Sequence, residues 1–204
     1  MSLRFNLLFL CVITFSQAFA GLDLTPSTTQ YTEDGTTYRV VRFKDGDGVV
    51  KFFPPEGWMV RGQQARLQLT PPLKSLSEAV VEVTPLVAPQ PLDEGVIAAF
   101  RQGVLAGLPP GSINAKIISE APNTLMPGGK PSVEILISYQ LWGKGFQRSV
   151  LLVNGPHEHL VFRFTATKED FNLLHNAFRR SVASWEWVDK PVTAVAQIPA
   201  PTAK

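Results

Sequence analysis

The sequence predicts an α+β fold organised around an antiparallel sheet, and three observations carry that prediction. Residues 130–188 hold three strand-like segments joined by tight turns and followed by one amphipathic helix. In the first of these segments Val133, Ile135, Ile137, Tyr139 and Leu141 fall on one side of a period-two ribbon. Glu134, Leu136, Ser138, Gln140 and Trp142 fall on the other, so both sides carry large apolar groups and the strand suits a sheet covered on both faces. The closing helix is marked by Phe171, Leu174, Phe178, Val182 and Trp185, a stripe at spacings of three and four that should pack on the sheet.

The elements follow in order. Residues 21–30 read as an extended leader containing Pro26. Asp34-Gly35 is a two-residue hairpin signal followed by the β-prone run Thr36 to Phe43, and Asp45-Gly46-Asp47-Gly48 is a second turn leading into Val49 to Phe53. The latter has an aspartate spacing reminiscent of a calcium loop but lacks the third oxygen ligand and distal Glu that an EF-hand requires. Pro54-Pro55-Glu56-Gly57-Trp58 ends that strand, because proline donates nothing to a ladder and Gly57 permits a positive φ; Trp58 then re-enters the core. Residues 59–70, interrupted by Gly62, and residues 79–84 read as further strands. Residues 93–107 form the first helix, with Val96, Phe100, Gly103 and Gly107 on one face, where the glycines are expected to allow close approach to the sheet. Residues 112–120 read as a strand, and residues 121–130, with two prolines and two glycines, as a mobile loop. Gly143-Lys144-Gly145 and Gly155-Pro156 turn the final ribbon, and Thr167 with Asp170 opens the last helix.

The ends of the chain point to export. Arg4, the apolar run from Leu7 to Phe15 and Ala18-Phe19-Ala20 together have the form of a secretory signal peptide over residues 1–20. That run is too short to span a bilayer, which takes roughly 20 apolar residues. Removing it takes away Cys11, the one cysteine, so the mature chain is expected to hold no disulfide and no thiolate site. With 19 basic and 17 acidic residues in the whole chain, the near-neutral charge gives no support to a nucleic-acid partner. No second apolar run of spanning length occurs. Residues 31–188 are therefore expected to form one domain, and residues 189–204, rich in Ala and Pro, a disordered tail.

Motifs for catalysis are missing. No G-x-S-x-G elbow occurs, and neither Gly129-Lys130 nor Gly143-Lys144 has the flanking residues of a phosphate loop. No cofactor is expected. His157 and His159 are the candidate metal ligands, since residues two apart in a strand project to one side; His175 is the candidate third ligand. A zinc site takes three or four protein ligands, so a solvated pair of histidines at a strand entrance weighs against that reading. Trp142, beside the turn that holds Lys144, is the candidate surface contact for a partner.

Phe53-Pro54-Pro55-Glu56-Gly57-Trp58, followed by a strand, a helix, three antiparallel strands and a C-terminal amphipathic helix, resembles the PsbP-like family over roughly residues 38–187. The resemblance implies a three-layer α-β-α sandwich with a central antiparallel sheet of about six to seven strands. It also implies an accessory or binding role without catalysis, and with the signal peptide it points to an exported bacterial branch. The expected function is an extracytoplasmic, periplasmic or secreted, non-enzymatic module contacting a protein or envelope component of unknown identity. The alternative is a metal-binding protein using His157 and His159.

Overall fold

The computed structural model describes residues 21–188; the expected signal peptide and the expected C-terminal tail lie outside the described residues. Eleven strands form two antiparallel sheets. The smaller has the order β1 (Leu22–Glu33), β2 (Thr36–Asp45), β3 (Gly48–Phe52) and β11 (Glu186–Val188). The larger runs β4 (Met59–Gln63), β5 (Arg66–Thr70), β6 (Glu78–Pro85), β10 (Glu158–Thr167), β9 (Lys144–Asn154), β8 (Ser132–Leu141) and β7 (Ile113–Pro122). Helix α1 (Glu94–Ala106) connects β6 to β7, and α2 (Lys168–Ala183) follows β10.

The seven-stranded sheet is the one the C-terminal ribbon predicts. Its two-sided burial has the expected cause. Ile135 and Ile137 of β8 and Val150 of β9 pack with Val104 and Phe100 of α1 on one face. Leu151, Val153, Leu160, Phe162 and Phe164 face the other way, toward Phe171, Phe178 and Val182 of α2 and the core residues of the small sheet. Asp93 caps α1, its carboxylate accepting from the Val96 N–H at 2.9 Å.

Several expectations need correction. The N-terminal hairpin does not join the central sheet but builds a second sheet that shares the α2-side core. Residues 21–30 are extended, yet they are no leader outside the domain: β1 pairs with β2, and Leu22 and Leu24 are buried. The last helix ends at Ala183, so Trp185 reaches the core from the following turn and β11 then adds itself to β3. The 121–130 segment, expected as a mobile loop, contains a short 3-10 turn at Pro127–Gly129, with Pro127 buried and Gly128 against the Trp187 ring. The Lys130 ammonium lies 4.3 Å from the centre of that ring.

Gly62 explains how β1 crosses the large sheet. A Cβ there would sit 2.2 Å from the Leu24 carbonyl oxygen and 2.7 Å from a Leu67 methyl. The same close approach lets the Leu24 N–H donate to the Gln64 carbonyl at 2.6 Å, tying the two sheets by their backbones. Gly62→Ala should therefore lower stability by about 2–3 kcal/mol in urea denaturation, because backbone, not a flexible side chain, would have to move. An unchanged midpoint would mean that β1 does not pass over Gly62.

Candidate functional site

Among the residues whose exposure is described, the β8–β9 hairpin carries the most exposed aromatic side chain. Leu141 pairs with Lys144, leaving Trp142-Gly143 as a two-residue turn. Both residues have positive φ, 53° for Trp142 and 72° for Gly143, as a type I′ connection requires. Asn or Gly normally occupies the first position, and a bulky side chain in the left-handed region costs of order 1 kcal/mol. Trp142 nevertheless sits there, 78% exposed, with Lys144 exposed beside it. Inward of the tip the ribbon is tightly built, with the Tyr139 and Phe146 rings stacked at 5.6 Å. Beyond it lies the outer edge of β7, which carries exposed Ile113 and Ile118.

The other sequence candidates separate. Gly57 has a φ of 73° and turns the chain so that Trp58, 4% exposed, packs 6.1 Å from Phe164; this pair is structural. Arg39 donates to the Trp58 carbonyl at 2.7 Å and fixes the same corner. His157 is exposed in the turn before β10, and His159 lies within that strand. Burial pushes the His159 imidazole below its usual pKa, toward the neutral form, and its Nε2 is buried without a hydrogen-bond partner among the described residues. His175 cannot complete a metal set with them. It lies on α2, against Phe164 and Phe171, whereas His159 alternates with Leu160 and Phe162 and so points to the opposite face of the sheet. Among the described residues no group of three or more His, Cys, Asp or Glu side chains could hold a metal.

Sequence reasoning missed the polar cluster that His175 does join. Glu134 projects from β8 under α2, where Ser149 Oγ donates to its Oε1 at 2.7 Å and Thr124 Oγ1 to its Oε2 at 2.9 Å. The Arg179 guanidinium pairs with Oε2, and His175 Nε2 lies 3.3 Å from Oε1 without the alignment of a hydrogen bond. Burial pushes the Glu134 carboxyl up, but His175, Ser149 and Arg179 outweigh burial and hold it well below the usual carboxylate range. A serine, a histidine and a glutamate thus meet, but Ser149 is buried and donates to the acid, not to the imidazole. No activated nucleophile results; the geometry locks a carboxylate between β8, β9 and α2. The signal in the sequence was a lone glutamate on the buried side of a strand, opposite a histidine and an arginine on a helix that only the tertiary fold brings over it.

No protein-family model matches the chain, and no curated protein matches it in sequence. Solved structures do resemble it. The chain is similar to LpqN of Mycobacterium tuberculosis, a protein involved in cell envelope biogenesis, at 15% identity and a TM-score of 0.53 over 80% of this chain and 92% of that one. It is similar to the PsbP protein CyanoP of Synechocystis sp. PCC 6803 at 12% identity and a TM-score of 0.51, over 85% and 96%. A putative regulator of unknown function from Pseudomonas aeruginosa, PA94, aligns at 14% identity with a TM-score of 0.49, over 80% and 98%. At these identities the likeness is one of fold: the chain has an α+β fold of the kind seen in CyanoP and LpqN.

Because Glu134 is held below its ordinary pKa, its contribution to stability is complete above about pH 4.5 and declines as pH falls below that value. Glu134→Gln should cost about 2–3 kcal/mol at pH 7, since Arg179 loses its counter-charge. It should also flatten the acid limb of the stability profile. Parallel pH profiles of the two proteins would contradict this assignment.

Proposed function

We propose that the chain is an exported, non-enzymatic binding or accessory module that contacts a protein of the cell envelope through the β8–β9 hairpin tip. The observation that carries this reading is Trp142: a large apolar side chain held exposed in a backbone conformation that disfavours it. Nothing in the fold gains from that choice, because an asparagine before Gly143 would make a better turn. Strain retained at an exposed aromatic residue is a mark of contact with something outside the domain. Lys144, next to it, supplies a cation at the rim of such a contact. Export is supported by the signal-peptide form of residues 1–20 and by the fold shared with LpqN, whose role is in the envelope. No helix among the described residues is long and apolar enough to cross a membrane. The three-layer α-β-α reading is supported by α1 and α2 lying against opposite faces of the seven-stranded sheet.

Two measurements on Trp142 test the proposal together. Trp142→Asn should raise unfolding stability by about 0.5–1 kcal/mol while weakening partner binding. A photo-crosslinking amino acid placed at position 142 should trap one defined envelope protein in intact cells, and the same probe at Val87, exposed but free of backbone strain, should not. A probe at position 142 that traps nothing, or the same products as one at position 87, would overturn the reading.

A further inference from the structure

Helix α1 does not close fully on its sheet. Gly103 and Gly107, expected to allow close approach, instead leave a gap: a Cβ on Gly103 would meet no atom within 4 Å. Beneath lies a cavity of about 160 Å³, its lining mainly apolar, with Phe100, Val104, Val150 and Val161 beside Arg148 and Arg163. Arg148 is only 6% exposed. Its Nε donates to Thr165 Oγ1 and its Nη1 to the Gly107 carbonyl, each at 2.9 Å, and its guanidinium lies 5.6 Å from the centre of the Tyr139 ring. Among the described residues no carboxylate is within 4 Å of it, whereas Arg163 at the rim has Glu82 at 3.5 Å. A buried cation ordinarily has an anionic partner, and a threonine hydroxyl and one helix-end carbonyl offset only part of its desolvation.

We propose that this cavity binds a small organic carboxylate, with the anion on Arg148 and the apolar body against Phe100, Val104, Val150 and Val161. A cavity of about 150 Å³ accommodates a benzene-sized body, which sets the class as monocarboxylates of that bulk. The site is separate from the Trp142 tip and does not depend on it.

Sodium benzoate titrated into the methyl-labelled protein should give saturable NMR shifts at Val104, Val150 and Val161. Benzyl alcohol, the neutral isostere, should bind at least about tenfold more weakly, as should benzoate to Arg148→Met. Gly103→Leu places its Cβ where no atom lies within 4 Å, keeps the helix and should abolish binding by filling the mouth. Absent or unsaturable shifts, equal affinity for the alcohol, or benzoate binding unchanged by Gly103→Leu would overturn the proposal even if Arg148→Met fails to fold.

An independent observation concerns the start of β1. Glu158 is 8% exposed, and its Oε2 is 3.5 Å from the Leu22 backbone nitrogen. Burial and the neighbouring Asp45, which pairs with Leu22 across the small sheet, push its carboxyl up. Lys130 and His157 face it, but neither forms an ion pair with it. Resting on the export reading, we infer that cleavage after Ala20 supplies a further cation beside this carboxylate. Hydrolysis of the Ala20–Gly21 bond leaves the new carboxylate on the released peptide and an α-ammonium on Gly21, one residue from Leu22.

A chain starting natively at Gly21 should unfold with an equilibrium constant roughly tenfold smaller than its Nα-acetylated form. In Glu158→Gln the two forms should differ little. An acetylation effect of equal size in both backgrounds would overturn the inference. N-terminal sequencing of protein recovered from the envelope separately reports whether cleavage occurs at this bond.

Discussion

The fold depends on one aromatic contact set, in which Trp185 joins the two sheets. Its indole stacks on Phe43 at 5.3 Å, lies 5.3 Å from Phe52 and meets the edge of Phe162 at 5.1 Å, so one side chain touches β2, β3 and β10. It arrives there because α2 stops at Ala183, with Ser184 Oγ accepting from the Phe53 N–H at 2.9 Å and Ser181 donating to the Phe53 carbonyl. Those bonds set where the helix ends. With its C-terminal end fixed and its apolar stripe on the sheet, α2 carries His175 and Arg179 over Glu134. The same burial of large rings that holds the sheets together thus places the polar cluster that fastens the helix.

The two faces of the seven-stranded sheet are finished to different standards. On the α2 side, two layers of strands and a helix leave a continuous core from Leu24 to Trp185. On the α1 side a single helix covers β8 and β9, and its glycines leave the Arg148 cavity open. Features not required for packing collect on that second face and at the sheet ends: a guanidinium under α1 with no carboxylate within 4 Å among the described residues and a strained tryptophan at the hairpin tip. A binding protein whose scaffold is secured on one side can present contacts on the other without loss of fold.

The parts of the fold legible in the sequence were those set by local periodicity. The β8–β9–β10 ribbon, the stripe of α2 and the Asp34-Gly35 turn follow from spacing and turn chemistry alone, whereas the turn expected at Gly143-Lys144-Gly145 falls one residue earlier, on Trp142-Gly143. What stayed hidden depends on contacts distant in the chain. Nothing local says that Thr/Ser-rich residues 22–33 are a strand, because the close approach that anchors them is recorded in a glycine far along the chain, Gly62 against Leu24. Gly103 read as a packing residue, since spacing shows where a glycine faces but not whether anything meets it. Glu134 looked like one more position on a strand until α2 was laid across it. Of the candidate residues, Trp142 and Lys144 fall together at an exposed tip, whereas His175 is separated from His159 by the sheet itself.

If Trp185 makes the two sheets one cooperative unit, they should open together. Native-state hydrogen exchange of the amides of Val41 and Val50 in the small sheet and of Leu151 and Phe162 in the large one tests this directly. All four should exchange through a single opening reaction with the same free energy and the same denaturant dependence. A small sheet that opens at markedly lower free energy, with β9 and β10 still protected, would contradict the shared core on which the account rests.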